Sequence, residues 1–224
     1  FTGFLTMFTK VYLTAMKRLF TILTILAAAI HTADGSIRLE DILKELDSYI
    51  EKSGTYVLEK EERINQLRNR MEGASLQQAY ELNYALFEEY QSFRYDSAYF
   101  YANRSLELAK ELKDNDQTVK SQCALVFCYL SSGLFLEAFD EMQKIDAGRT
   151  SDEIRKDYYS LYNRLCYDAA DFNDTERWSH EYARMGTLYA DSLMAMVPKD
   201  SYEYVFAVAQ KEIRHWHYLE CIEY

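Results

Sequence analysis

Apolar residues recur along this chain at helical spacing from Leu39 onward. Leu39, Ile42, Leu43, Leu46, Tyr49 and Ile50 form one stripe, the mark of an amphipathic helix. Ser53-Gly54 reads as an interruption. A second helix follows, with Val57, Ile64, Leu67 and Met71 on one face, and Gly73 ends it. Residues 34–74 are therefore expected to form an N-terminal helical pair, with the charge run Glu59 to Arg63 as a solvated face. Ser75 and Gln78 have capping-box spacing and open the next helix, which runs to about Phe93. Its partner starts near Asp96 and carries Tyr95, Ala98, Tyr99, Ala102, Leu106, Ala109 and Leu112 on one face. Lys113 to Asp116 is a polar break. Val119 to Ser131 and Leu134 to Ile145 form another pair, joined at Ser132-Gly133.

Thr150 and Glu153 repeat the capping-box spacing and open a helix with Tyr158, Tyr162, Leu165, Ala169 and Phe172 inward. Asp174 is placed to cap a further helix bearing Trp178, Tyr182, Met185 and Tyr189, extending to about Met196. Pro198 stops it, and Asp200 with Glu203 starts a last helix striped by Val205, Val208, Ala209, Ile213 and Trp216.

A small-residue pattern runs through these helices. It reads Ala102, Leu106, Ala109; then Ala138, Met142, Ile145; then Ala183, Thr187, Ala190; and it starts again at Cys221. The starts lie 36, 45 and 38 residues apart, which is the signature of stacked helix pairs. Small side chains at fixed places let two helix backbones approach closely. The longer interval is assigned to an extended second helix in the third unit. Leu219 to Tyr224 repeats Leu136 to Asp140, so the fourth unit is expected to be truncated, and Phe1 in place of an initiating Met suggests the same of the other end.

These repeats resemble the tetratricopeptide family. Leu125, Tyr129, Gly133, Ala138 and Met142 fall where that family places its large, aromatic, glycine and small residues. Tyr90, Phe93, Ala102, Leu106 and Ala109 make a similar copy without the glycine, and the copy at Ala183 departs at Thr187. The resemblance covers about residues 75–224. It implies an all-α, tetratricopeptide-like helix-pair solenoid with a right-handed superhelix, preceded here by the N-terminal helical pair. A narrower likeness rests on Leu46-Asp47, Lys60 to Ile64, Tyr95 to Tyr99 and Ala102-Asn103. It is to bacterial proteins in which an exported tetratricopeptide region precedes a transmembrane helix and a cytoplasmic helix-turn-helix of LuxR type. That likeness implies the sensing half of a membrane-bound transcriptional regulator.

Residues 16–33 carry Lys17-Arg18, an apolar run from Leu19 to Ile30, and small residues after it. This is the layout of a secretory signal, expected to be cleaved after Ala29 or Ala33 or kept as an anchor. Residues 1–33 are thus an upstream extension plus signal or anchor, with Met16 the expected start, and the chain is expected to be exported. On the bacterial likeness its place is the periplasm or membrane of a Gram-negative cell. One Pro and seven Gly in 224 residues suit helices joined by short turns. The formal net charge of −11 argues against direct nucleic-acid contact, which needs Lys and Arg against phosphate.

Candidate chemistry is sparse. Cys123, Cys128, Cys166 and Cys221 form no C-x-x-C and read as packing residues. His215, His217 and Cys221 fall in an inter-helix turn, so no metal is assigned, and His180 reads as exposed. Adjacent acids such as Glu61-Glu62 and Glu88-Glu89 point in different directions on a helix and cannot flank one bond. There is no nucleophile elbow and no phosphate-cradling Gly loop. No catalytic residue and no cofactor is therefore expected. Tyr84, Tyr90, Tyr129 and Tyr162 either line a ligand groove or belong to the core. The residues expected to pack the repeats are Ala102, Leu106, Ala109, Leu125, Tyr129, Gly133, Ala138, Met142 and Ala183. The expected partner is a protein or peptide, with the membrane met through residues 1–33 or a segment beyond Tyr224. The alternative is an extracytoplasmic structural or assembly scaffold without signalling output.

Overall fold

A computed structural model describes residues 39–173 and 175–214. It divides into two compact units, one ending at Glu59 and the other starting at Lys60. Every regular element among the described residues is helical. Helix α1 (Leu39–Asn69) spans 31 residues without a break, so the expected N-terminal helical pair is one helix over its described part. An interior Gly costs only about 1 kcal/mol relative to Ala, too little for Ser53-Gly54 to end a stripe this long. The glycines that do stop helices are Gly73 and Gly133, both at φ 74, in the left-handed region.

Six helices then form three antiparallel pairs: α2 (Leu76–Tyr90) with α3 (Tyr95–Leu112), α4 (Asn115–Ser131) with α5 (Phe135–Met142), and α6 (Asp152–Phe172) with α7 (Glu176–Met194). Helix α8 (Tyr202–Arg214) packs on α7. The Ser75–Gln78 capping box forms: Gln78 N–H donates to Ser75 Oγ at 3.3 Å, and Ser75 N–H donates to Gln78 Oε1 at 3.0 Å. Lys113 adopts φ 58 at the end of α3, and Asp114 Oδ1 accepts from Gln117 N–H at 2.9 Å to start α4.

The box expected at Thr150 and Glu153 does not form. Thr150 is buried and its hydroxyl donates to the Ala147 carbonyl at 2.8 Å, so Ser151 takes the cap position. At α8 the cap is Ser201 rather than Asp200, its Oγ accepting from Tyr204 N–H at 3.2 Å. Asp174, Trp216, Cys221 and the segment Leu19–Ile30 lie outside the described residues.

The core is a relay. Ile64, Leu86, Phe87, Ala102, Leu106, Leu125 and Cys128 pack together, with Leu67 and Met71 against them. Val126, Leu130, Ala138, Met142, Leu165 and Cys166 carry the relay into the second and third pairs, and Ala190, Leu193 and Ala207 carry it on to α8. Ala102, Ala109 and Ala138 have no exposed surface.

The third pair is built differently. Ala183 is only half-buried, and the close approach falls at Gly186. A Cβ on Gly186 would lie 2.6 Å from the Tyr167 ring, and Asn163 Nδ2 donates to the Gly186 carbonyl at 2.9 Å. The helices meet through a flat ring against bare backbone, so the small residue is needed three positions later than the repeat pattern places it. The 45-residue interval also has another source than the one expected. Residues 143–151, including a single 3-10 turn (Ala147–Arg149), precede an α6 of 21 residues, against 17 in α4.

Candidate functional site: the face of the first helices

The first helices of successive pairs stand side by side. Phe87 of α2 meets Phe127 of α4 edge-on at 6.3 Å, and α4 packs directly on α6. Helix α8 reaches α6 through Arg214, whose Nη2 donates to Asp171 Oδ2 at 2.6 Å and to the Tyr167 carbonyl at 3.3 Å, with the guanidinium 4.7 Å from the Tyr167 ring centre. One surface therefore runs across α2, α4, α6 and α8.

Two sets of side chains recur on it. Tyr84, Lys120, Asp157 and Glu203 form one row, spaced 36, 37 and 46 residues; Phe127, Arg164 and Gln210 form the other, each seven residues beyond a member of the first. Seven residues is two helical turns, so each pair shares a face. The rows touch. Lys120 Nζ sits 4.3 Å from the Tyr84 ring centre, and the Arg164 guanidinium sits 5.3 Å from that of Phe127. Cations over rings gain about 0.5–1 kcal/mol at exposed sites, which holds both long side chains across the helix junctions. Arg164 Nε also donates to Asp168 Oδ2 at 3.4 Å.

Burial raises the Asp157 carboxyl above the ordinary range. Lys120 and Lys156 pull it down, and Glu153 and Glu203 push it up. Between α6 and α8 a pocket of about 270 Å³ is lined by Ser160, Arg164, Asp168, Glu203, Phe206 and Gln210. Tyr202 and Phe206 stack at 5.7 Å and are exposed at its rim.

The four tyrosines singled out by sequence separate here. Tyr90 and Tyr162 are buried, Tyr90 stacking on Tyr101 at 5.5 Å and Tyr162 on Tyr189 at 3.9 Å. Tyr129 is half-buried at the end of α4, its hydroxyl 3.3 Å from that of Tyr99; this hydrogen bond, then burial, raises its pKa. Tyr84 alone of the four joins the recurring row, and burial raises its pKa too. Among the packing residues, Ala102, Leu106, Ala109, Leu125, Ala138 and Met142 are buried, Tyr129 and Ala183 are half-buried, and Gly133 makes the exposed α4–α5 turn. Sequence reading passed over Lys120, Phe127, Asp157 and Arg164. The signal was present as the 36- and 37-residue recurrence, but those residues vary in type, and only the small residues repeat by identity.

The arrangement offers aromatic rings, two cations, two carboxylates and one amide in a row, which suits holding an extended chain. Among the described residues it assembles no reactive group. Cys123, Cys128 and Cys166 are buried free thiols that burial pushes up to about 12, so they carry almost no thiolate at neutral pH. His180 is exposed. Among the described residues there is no metal-ligand cluster and no helix long and apolar enough to cross a membrane. His215 and His217 lie outside them.

Stacked helix pairs with a row of half-buried and exposed side chains on the first helices define a tetratricopeptide-type interaction fold. The chain belongs to the family described as the SusR N-terminal TPR domain, which it matches over residues 50–224. No curated protein and no solved structure matches it. Tetratricopeptide domains as a class bind protein partners and supply no catalytic groups of their own.

Proposed function

We propose that this chain is a non-enzymatic sensing module that holds an extended peptide or protein segment along α4 and α6, outside the cytoplasm. In this reading it is the sensor part of a membrane-anchored transcriptional regulator. The observation that carries the binding face is the recurrence of Tyr84, Lys120, Asp157 and Glu203 along four neighbouring helices. A solenoid presents equivalent positions of successive repeats to one extended ligand. The signal-like run behind Lys17-Arg18 supports export, and the likeness at Lys60 to Ile64 and Tyr95 to Tyr99 supports the regulator context.

Selection of random unstructured peptides, each about a dozen residues long, on the immobilised chain tests the binding face. Selected peptides are expected to lose at least about tenfold in affinity, roughly 1.4 kcal/mol, with Arg164→Ala or Phe127→Ala and to be unaffected by Leu188→Ala on α7. Equal binding by all three variants contradicts the face. Export is tested separately by fusing alkaline phosphatase after Tyr224 in a Gram-negative host. An active fusion is expected, and an inactive one beside an active cytoplasmic reporter contradicts it.

A further inference from the structure

Helix α1 carries a heptad seam along its whole length. One set of seam positions is Leu43, Ile50, Val57, Ile64 and Met71, the last just past the helix end; the other is Leu39, Leu46, Ser53, Lys60 and Leu67. From Ile64 onward this seam is used: Ile64 is buried, and Leu67 and Met71 pack into the core of the repeats. From Leu39 to Val57 it is bare. Leu39, Leu43, Leu46, Ile50 and Val57 are 48–59% exposed, and Ile42, Tyr49 and Tyr56 beside them are exposed too. This stretch of helix spans about 28 Å at 1.5 Å per residue. An apolar strip of that length on a water-facing helix marks an interaction surface.

The seam also says what fits it. β-branched Ile50 and Val57 at the first set of positions, with Leu39 and Leu46 at the second, is the choice that favours two parallel helices. The flanking charges agree. Asp47 lies on one flank, while the opposite flank holds Ile42, Tyr49 and Tyr56, so no acid faces an acid across a parallel pair; an antiparallel pair would set the Asp47 flank against itself. A membrane surface fits less well. Asp41, Glu45, Asp47, Glu51 and Glu59 outweigh Lys44 and Lys52, whereas surface-bound amphipathic helices carry Lys and Arg on the polar face.

We propose that Leu39–Val57 is a dimerisation helix whose apolar seam is covered by the same helix of a second copy, parallel and in register.

The full 224-residue chain tests this by sedimentation equilibrium at tens of micromolar. A dimer mass is expected, falling to the monomer mass in Leu46→Glu/Ile50→Glu with the helical circular dichroism and melting midpoint of the repeats unchanged. In a Cys221→Ser background, Leu43→Cys is expected to give a disulfide-linked dimer on oxidation, because a parallel pair sets residue 43 against its own copy. The buried thiols of Cys123, Cys128 and Cys166 do not compete. A monomer in the parent chain, a dimer that survives the double substitution, or a dimer without the Leu43→Cys crosslink each overturns the proposal.

Discussion

The apolar stripe of α1 from Leu39 to Val57 and the stripe of α6 from Ile154 to Ala169 carry their residues at the same helical spacing, yet they end in opposite places. Leu46 and Ile50 of α1 are half exposed or more, whereas Ile154, Tyr162, Leu165 and Ala169 of α6 are buried. The difference lies in what stands opposite each stripe. The α6 stripe meets α4 and α7 across small residues and flat rings, and the α1 stripe stays open to solvent as far as Val57. Periodicity states that a face is apolar; partner geometry decides whether it is a core or a docking surface.

The largest effect that separates the two stretches is expected at Leu165, which has no exposed surface. Leu165→Ala removes a fully packed side chain and is expected to cost about 3 kcal/mol, read as a fall in the urea midpoint. A loss below about 1 kcal/mol would mean that the α6 stripe is no better packed than that of α1. Gly186→Ala comes next. The added methyl gains about 1 kcal/mol of helix propensity, but it meets the buried Tyr167 ring at 2.6 Å. A net loss of about 1–2 kcal/mol is expected from the overpacking, and a stabilised variant would show that the ring can move aside. Leu46→Ala is the counterpart on the bare stretch. At concentrations too low for self-association it is expected to change stability by less than about 0.5 kcal/mol, and a core-sized loss would mean that the stripe is already covered within one chain.

The smallest effect is a pH dependence. Burial raises the Asp157 carboxyl in the folded state, so the folded chain binds its proton more tightly than the unfolded chain. Wild-type stability therefore falls as pH rises from the ordinary carboxylate value through the raised one. Asp157→Asn lacks this cost. Its melting midpoint is expected to gain on wild type near neutral pH, with the gain vanishing below the ordinary carboxylate range. A gain that persists there would show that the effect is not ionisation.

Much of the fold was legible because its determinants are local. The Ser75–Gln78 box, the Gly133 turn and the buried Ala102, Ala109 and Ala138 follow from spacing and residue type alone. What escaped depends on contacts between elements. Thr150 has capping-box spacing to Glu153, but its hydroxyl is taken by Ala147. Gly54 looks like a break, yet a long helix absorbs it. Gly186 matters because the Tyr167 ring, on the preceding helix, lies flat on it. The candidate face was the least legible part. Lys120, Asp157 and Glu203 share a position in the repeat but not a chemistry, so no identity pattern announces them.

Hydrogen exchange of the full chain, with and without a peptide selected on it, tests the binding face most directly. Slower exchange is expected in α4 and α6, around Lys120, Phe127, Asp157 and Arg164, with α5 and α7 unchanged. Protection confined to α5 and α7, or none at saturating peptide, would contradict the assignment of the first-helix face as the site that holds the ligand.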